Sequence, residues 1–268
     1  MTTLAVRCTG LRHAFGDTVA VDGVDLEIPA GQVFGLLGPN GAGKTTTIRV
    51  ITTLLPAKTG AIEVFGLDVA HRKMAVRRLI GYVPQQLSAD GSLSGRENVA
   101  LFARLFDVPR RERAEQVEIA LGTVGLLDDA DRPAATYSGG MIRRLELAQA
   151  LVSAPRLLIL DEPTIGLDPV ARTSVWERIE QVRAETGMTV LVTTHYMDEA
   201  EQYCEQVALM HRGRIRAQGS PAELQEELGP ESTLDDVFRV VTGDAFDDAD
   251  KGGMRGVRAA RRTARRLG

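Results

Sequence analysis

The residues best suited to chemistry lie in a short glycine-rich segment. Residues 38–45 read Gly-Pro-Asn-Gly-Ala-Gly-Lys-Thr and fit the full pattern of a phosphate-binding loop. Glycines let backbone N–H groups turn towards a phosphate, and Lys44 can neutralise charge between the β- and γ-phosphates of a nucleotide. The Thr45 hydroxyl is suited to bind Mg²⁺. The residues predicted to contact the nucleotide are Gly38, Pro39, Asn40, Gly41, Ala42, Gly43, Lys44, Thr45 and Thr46.

A pair of carboxylates follows a strongly apolar segment further along the chain. Residues 157–160 are Leu-Leu-Ile-Leu, and Asp161 and Glu162 come directly after them. Ligand groups gather at the carboxyl ends of strands in open α/β sheets, so Asp161 is predicted to bind Mg²⁺ directly or through water. Glu162 is predicted to orient and deprotonate the attacking water. The alternative is that one carboxylate only caps the next segment, but the phosphate-binding loop favours the catalytic interpretation.

A second candidate phosphate cradle begins at Ser138. Ser138-Gly139-Gly140 opens a predicted helix, where free N–H groups and the positive end of the helix dipole favour an anion. The alternative is an ordinary serine N-cap followed by permissive glycines. Two cradles in one chain suggest that a nucleotide is held between residues 38–45 of one copy and the Ser138 helix of another.

The elements that must position these residues alternate between strand and helix. The apolar residues 32–37 predict a strand that runs into the loop, followed by a helix that Pro56 ends. Residues 157–162, 171–185 and 189–193 predict strand, helix and strand, with parallel pairing buried on both faces. The predicted fold is α/β: a phosphate-loop NTPase core with a mostly parallel sheet, an antiparallel β-layer and an inserted α-helical subdomain.

Other segments complete this prediction. In the β-layer, Asp22-Gly23 is predicted to turn a hairpin between residues 18–21 and 24–28. Residues 61–83 have strand character, 207–217 predict a hairpin around Arg212-Gly213, and 221–242 predict two short helices. Residues 98–106 and 110–124, with the helix from Ser138, predict the helical insertion. We expect one cassette over residues 1–242, with its core at 1–87 and 153–220, the helical subdomain at 88–152, and a flexible tail at 243–268.

Charge and cysteine content exclude several classes of protein. The chain has 268 residues and a formal net charge of −4, but residues 251–268 hold seven basic residues and no acidic one. The first 250 residues therefore carry 25 basic and 36 acidic residues, which makes nucleic acid an unexpected partner. Two cysteines, Cys8 and Cys204, indicate a reducing compartment. No secretory signal or apolar run of about 20 residues is visible, so a partner must hold the chain at any membrane.

Together the motifs resemble the ATP-binding cassette of ABC transporters. The resemblance extends over about residues 3–242 and rests on residues 38–45, Gln85, 137–141, 157–162, 166–168 and His195. Residues 45–47, 137–141, 194–200 and 234–238 further resemble the daunorubicin-resistance type of exporter ATPase, which works with ABC-2 type membrane permeases. The resemblance implies an ATP hydrolase that powers an exporter of drugs or other hydrophobic small molecules. It also implies a dimer with ATP and Mg²⁺ at the cytoplasmic face of the plasma membrane.

The resemblance also implies roles for single residues. Phe15 would stack on adenine, where the family usually has Tyr, or would simply belong to the β-layer. Gln85 would reach Mg²⁺ and the attacking water and report to the membrane partner, with the adjacent Gln86 as the alternative for this role. Asp168 would contact the second copy. His195 would hydrogen-bond the γ-phosphate.

Two other function classes compete with the exporter subunit. Soluble ABC ATPases of DNA repair or translation carry long coiled-coil inserts or two cassettes, and this chain has no heptad stretch and one cassette. A non-catalytic binding module would be expected to lack Lys44, Glu162 or His195, all of which are present. The basic tail is expected to be a solvated flexible segment, with contact to anionic lipid or to protein as alternatives.

Overall fold

The computed structural model of the chain describes residues 3–58, 61–86, 88–229 and 231–243, and its strands form two sheets. The strands are β1 (Leu4–Phe15), β2 (Thr18–Pro29), β3 (Val33–Leu37), β4 (Ile62–Val64), β5 (Leu67–Asp68), β6 (Ile80–Val83), β7 (Leu157–Asp161), β8 (Thr189–Thr194), β9 (Gln206–His211) and β10 (Arg214–Gly219). The helices are α1 (Lys44–Ile51), α2 (Lys73–Arg77), α3 (Gly95–Leu105), α4 (Arg113–Thr123), α5 (Gly139–Leu151), α6 (Pro169–Thr186), α7 (Met197–Tyr203), α8 (Pro221–Glu226) and α9 (Leu234–Thr242).

The larger sheet has six strands in the order β10-β9-β3-β8-β7-β6. Its strands β9, β3, β8, β7 and β6 are parallel, and only β10 is antiparallel, at the edge. Every residue of β3, β7 and β8 is buried, which explains why apolar and polar residues do not alternate along these strands and why the polar residues of β7 and β8 stand at the strand ends. The predicted α/β fold with a mostly parallel sheet is confirmed, and so is the hairpin of β9 and β10.

The smaller, antiparallel sheet corrects the predicted N-terminal hairpin. Its order is β2-β1-β4-β5, and β2 continues through Asp22-Gly23, so the turn predicted there is wrong. The chain reverses instead between Phe15 and Thr18, which face each other across the ladder. Because Leu11 pairs with Val24 and Arg12 with Asp22, Gly23 is the extra residue of a β-bulge.

Local backbone conformation also ends α1 earlier than predicted. The helix stops at Ile51 and not at Pro56, because Thr53 takes a left-handed conformation with φ 65°. The Leu55 N–H then bonds back to the Arg49 carbonyl at 2.9 Å. Leu54, which lies within the helix predicted to run to Pro56, is left exposed on the surface. The short helix α2 interrupts residues 61–83, which sequence pattern predicted as strand.

The helical insertion leaves and rejoins the sheet between two neighbouring strands. β6 and β7 pair in parallel, and α3, α4 and α5 lie between them in the chain and pack on one another. A capping box at Ser94 begins α3, and Ser138 caps α5 by accepting a hydrogen bond from the Met141 N–H. The N-cap predicted at Ser138 is therefore confirmed.

Both cysteines are buried and reduced. Burial, with a smaller contribution from Asp25, raises the pKa of the Cys8 thiol to about 12. Burial likewise raises the pKa of Cys204. In the described ranges, no helix is both long and apolar enough to cross a membrane. The tail predicted at residues 243–268 lies outside the described residues from position 244 onward.

Candidate functional site

The glycine-rich loop connects β3 to α1 and packs closely against two other strands. A Cβ at Gly38 would lie 2.1 Å from the Met210 carbonyl oxygen of β9. A Cβ at Gly43, where φ is 109°, would lie 2.5 Å from the Ala20 carbonyl oxygen of β2. Glycine is therefore required at both positions by the approach of neighbouring backbone as well as by the turn. The loop is held in one place at the carboxyl end of the sheet.

Lys44 is buried at the start of α1, and its ammonium faces the loop. Its Nζ donates to the carbonyl oxygens of Gly38 at 2.6 Å and Pro39 at 3.2 Å. It also lies 3.4 Å from Glu162 Oε1. Burial lowers the pKa of Lys44, and the negative charge of Glu162 opposes that effect. The loop thus surrounds a cation whose partners are two carbonyls and one carboxylate.

Asp161 ends β7 beside the loop hydroxyl. Its Oδ1 accepts hydrogen bonds from Thr193 Oγ1 at 2.6 Å and from Thr45 Oγ1 at 3.3 Å. Among the residues described, no group hydrogen-bonds its other oxygen, Oδ2, which is buried. Burial raises the pKa of Asp161 against the lowering effect of both hydroxyls. A buried carboxylate oxygen with unused bonding capacity, next to a hydroxyl, fits a hard divalent cation such as Mg²⁺.

Glu162 has an unusual backbone and three polar neighbours. Its φ is 52°, a left-handed conformation that costs on the order of 1 kcal/mol or more for a non-glycine residue. Its N–H donates to the Thr193 carbonyl at 3.1 Å and to the Thr193 hydroxyl at 3.0 Å, which holds this conformation. Its carboxylate lies 3.4 Å from Lys44 Nζ, accepts from Gln85 Nε2 at 3.2 Å and lies 3.5 Å from His195 Nδ1.

The charge state of Glu162 follows from these neighbours. Burial by itself would raise the pKa of Glu162. The adjacent His195 ring and the Lys44 ammonium outweigh burial and hold the pKa of Glu162 below its ordinary value. The carboxylate is therefore ionised at neutral pH and can accept a proton.

One pocket brings most of the predicted nucleotide-contacting residues together. It has a volume of about 420 Å³, and its lining joins the glycine-rich loop to Gln85 and Glu162. Gln85, and not Gln86, lines the pocket, so the structure favours the first of the two candidates. His195 does not line the pocket itself, but its Nδ1 lies 3.5 Å from Oε1 of the lining residue Glu162. The lining consists of Ala20, Pro39, Asn40, Gly41, Ala42, Gly43, Lys44, Thr45, Thr46, Gln85 and Glu162.

Eight predicted residues are not part of the pocket lining. Gly38, Asp161 and His195 contact lining residues, as described above. The other five, Phe15, Ser138, Gly139, Gly140 and Asp168, lie outside the pocket. Ser138 is exposed at the start of α5, and Asp168 caps α6 by accepting from the Val170 and Ala171 N–H groups. The starts of α5 and α6 adjoin, since a Cβ at Gly140 would lie 3.1 Å from Ala171 Cβ. Phe15 is half-exposed at the end of β1, edge-on to His13.

Sequence analysis did not identify the residues that position the two carboxylates and the segment after them. Thr193 contacts both Asp161 and Glu162, and its only signal was its place at the end of a buried strand. Thr164 Oγ1 donates to both carboxylate oxygens of the buried Glu199, at 2.8 and 2.9 Å. Arg172 Nε lies 3.2 Å from Glu199 Oε1, and the Arg172 guanidinium lies over the Tyr196 ring. These contacts join the segment after Glu162 to α6 and α7.

Comparison with known proteins identifies relatives of this arrangement. The profile described as ABC transporter matches residues 21–165. The daunorubicin/doxorubicin resistance ATP-binding protein of Streptomyces peucetius is 45% identical over 227 residues, covering 85% of this chain and 68% of the relative. The Nod factor export ATP-binding protein I of Sinorhizobium fredii is 44% identical, over 84% of this chain and 66% of the relative. A solved ATP-binding subunit of an ABC transporter aligns with a TM-score of 0.78 at 28% identity, covering 89% of this chain and 99% of that structure.

Proposed function

Because the chain belongs to the ABC transporter family of ATP-binding proteins, we propose that it is the ATP-hydrolysing subunit of an ABC-2 type exporter. The observation that carries this proposal is the pocket that joins the phosphate-binding loop to Gln85 and Glu162. Its cargo is proposed to be a drug or another hydrophobic small molecule, because one relative is named for daunorubicin and doxorubicin resistance. Its place is proposed to be the cytoplasmic face of the plasma membrane, where it is held by the permease.

The proposed chemistry assigns a step to each polar side chain of the pocket. Lys44 binds the β- and γ-phosphates, and Glu162, ionised at neutral pH, takes the proton of the attacking water. His195 and Gln85 orient the γ-phosphate and that water. Thr45, Gln85 and Asp161 would hold Mg²⁺, which neutralises charge on phosphate oxygens when bound.

A second copy is proposed to complete each nucleotide site. Ser138, Gly139 and Gly140 offer an exposed helix N-terminus, which attracts phosphate, and Asp168 lies on the adjoining helix start. Next to Asp168, Val170 leaves 80% of its surface exposed, which supports a contact between copies at this face. Phe15 is proposed to stack on adenine. We also propose that the chain is divided into a core at residues 1–87 and 153–220, a helical subdomain at 88–152 and a tail at 243–268.

The permease is proposed to bind an apolar groove beside the nucleotide pocket. The groove has a volume of about 450 Å³ and is bordered by Leu54, Met74 and Leu105, whose surfaces are 58%, 57% and 66% exposed. Pro84 and Ser88, which flank Gln85 in the chain, also line it. A membrane subunit seated here would therefore contact the loop that carries Gln85.

Co-purification tests this assignment against a soluble ABC-type ATPase. The chain is expressed together with each candidate ABC-2 type membrane protein of the same genome, and any complex is isolated through the membrane protein. Leu105→Glu is expected to reduce recovery of the complex at least about tenfold, because it places a charge in an apolar contact. Val240→Glu, at an exposed apolar position of α9, is the matched control. Equal recovery of both variants would refute the groove as the permease-binding site. If the wild-type chain does not associate with any of these membrane proteins, the soluble ATPase is favoured.

A further inference from the structure

A buried ion pair on α5 grips the loop that carries Gln85. Arg143 Nη1 lies 2.9 Å from Glu146 Oε2, and the two side chains are 5% and 1% exposed. Arg143 also donates to the Pro84 carbonyl at 3.2 Å and to the Gln85 carbonyl at 2.8 Å. Glu146 Oε1 accepts from the Ser88 N–H at 2.5 Å and from the Ser88 hydroxyl at 3.2 Å. One arginine and one glutamate thus fix the loop at both ends.

Stability alone does not explain this arrangement. Two charges removed from water lose hydration that their mutual attraction barely returns, and well-packed apolar pairs often replace buried ion pairs without loss. What an apolar pair cannot supply is the set of directed hydrogen bonds to four loop groups, two carbonyls, one N–H and one hydroxyl. These bonds fix the position of the loop relative to α5. Packing of apolar side chains alone would allow the loop to shift along the helix.

The hydrogen bonds that hold this loop extend into the nucleotide pocket through Gln85. The side chain of Gln85 donates to Glu162 Oε2 at 3.2 Å. A single hydrogen-bonded route therefore runs from Arg143 on α5, through the Gln85 backbone and side chain, to the Glu162 carboxylate. Ser138 is the N-cap of the same helix, so α5 carries the exposed phosphate cradle at its start and the attachment of the Gln85 loop one to two turns later.

We propose that Arg143 and Glu146 are positioning residues for hydrolysis, which hold Gln85 against Glu162 and tie its position to that of α5. This inference rests on the proposed function for the role of Gln85 and Glu162. When Ser138 of one copy engages nucleotide bound by the other, movement of α5 is passed to Gln85 in its own chain.

The test removes the directed bonds and keeps the packing. Arg143→Met combined with Glu146→Leu replaces both buried charges by apolar side chains of similar length, so that no lone charge is left behind. Arg144→Gln is the matched control, because Arg144 is the next residue of α5 and also donates to two carbonyls, those of Val124 and Gly125. Thermal unfolding, binding of a fluorescent ATP analogue and steady-state hydrolysis are measured for each.

The expected result is a loss of turnover without a loss of binding. The double variant should unfold within a few degrees of the wild type and bind nucleotide with a Kd within about threefold, while kcat falls at least about tenfold and KM stays within the same threefold range. Arg144→Gln should keep wild-type kcat. In a Gln85→Ala background the double variant should lower kcat no further, because its effect acts through Gln85.

Each contrary outcome is informative. A folded double variant with wild-type kcat would overturn the proposal, and so would a tenfold loss that persists unchanged in the Gln85→Ala background. If the double variant does not fold, Arg143→Lys is used, which keeps the charge and loses the fork that spans two carbonyls; normal kcat in that variant would equally overturn the proposal. Lys44→Ala is run alongside, since activity in that variant would refute the proposed function itself.

Discussion

Lys44 Nζ lies 3.4 Å from Glu162 Oε1, and both side chains are more than nine-tenths buried. Among the described residues, the cation that is proposed to meet the phosphates thus also forms an ion pair with the proposed base. A substitution that removes either charge leaves the other buried with fewer partners, which is costly. For variants at these two positions, nucleotide binding, turnover and folding stability must therefore be measured separately.

Lys44→Ala should abolish hydrolysis and weaken ATP binding at least about 100-fold, because hydrogen bonds to charged groups contribute about 1.5–3 kcal/mol each. Isothermal titration with ATP–Mg²⁺ measures the binding. Lys58→Ala, at an exposed lysine after α1, is the control and should bind as the wild type does. Hydrolysis at the normal rate in Lys44→Ala would refute the assignment of the loop.

Glu162→Gln should keep nucleotide binding and lower turnover about 10²–10⁴-fold, the usual contribution of a general base. With hydrolysis blocked, the dimer that holds ATP between two copies should accumulate. Size exclusion is expected to show an ATP-dependent shift from monomer to dimer that ADP does not produce. Asp161→Asn should show no such shift, because it weakens Mg²⁺ binding. A Glu162→Gln protein that stays monomeric and still turns over would exclude the residue as the base.

Ser138→Arg should leave ATP binding by the single chain nearly intact and strongly reduce hydrolysis, because the bulky cation blocks a cradle used by the other copy. Mixing it with Lys44→Ala gives dimers with one doubly damaged site and one intact site, so part of the activity should return in a phosphate-release assay. Ser220→Arg, which alters the N-cap of α8, is the control. If Ser138→Arg alone prevents the monomer from binding ATP, both cradles belong to one site.

Thr193→Val is nearly isosteric and removes the hydroxyl that contacts both Asp161 and Glu162. The expected result is an about 10–100-fold higher Mg²⁺ requirement for hydrolysis, the equivalent of one lost hydrogen bond to a charged group. Thr189→Val makes the same change at the other end of β8, where the hydroxyl accepts from the Gly31 N–H, and should leave the Mg²⁺ requirement unchanged. An unchanged Mg²⁺ titration in Thr193→Val would show that the hydroxyl does not position Asp161.

Glu199 predicts a pH dependence of stability. Burial raises the pKa of its carboxyl, against the Thr164 hydroxyl and Arg172, above the ordinary value of 4.5. Its contribution to folding is therefore complete below pH 4.5 and is lost as the pH rises through the folded-state pKa. Glu199→Gln does not ionise, so its stability relative to the wild type should increase between pH 4.5 and pH 8. The increase should be about 1.4 kcal/mol for each pH unit that separates the pKa of Glu199 in the folded chain from that in the unfolded chain.

Urea unfolding of both proteins at the two ends of that range measures this difference. Glu185→Gln, at an exposed position near the end of α6, is the control and should show a difference that does not vary with pH. A stability difference for Glu199→Gln that is equally constant would contradict the prediction. A difference that falls as the pH rises would reverse its sign and point to a carboxylate stabilised by Arg172.

The residues that sequence analysis identified are those whose signal is local. The loop that ends at Thr45 and the pair Asp161 and Glu162 are contiguous in the chain and follow apolar strands, so their types and spacing suffice. Thr193 and Arg143 act on groups far away in sequence, and only the parallel pairing of β7 with β8 and the packing of α5 bring them there. Asp22-Gly23 shows the opposite case, because the turn signal there was overridden by the pairing of β2 with β1 across the tighter reversal between Phe15 and Thr18.

The burial of the two native thiols makes the chain suited to spectroscopy. Thiolates are the reactive form of cysteine, and at neutral pH a thiol with a pKa of about 12, such as Cys8, holds almost none. Cys204 is shielded by burial in the same way. A maleimide dye or nitroxide should therefore attach almost only to a cysteine introduced at the surface. One such cysteine on the exposed face of α5 and another near Phe15 would permit distances between helix and β-layer to be followed while nucleotide is bound and hydrolysed, with the native cysteines left in place.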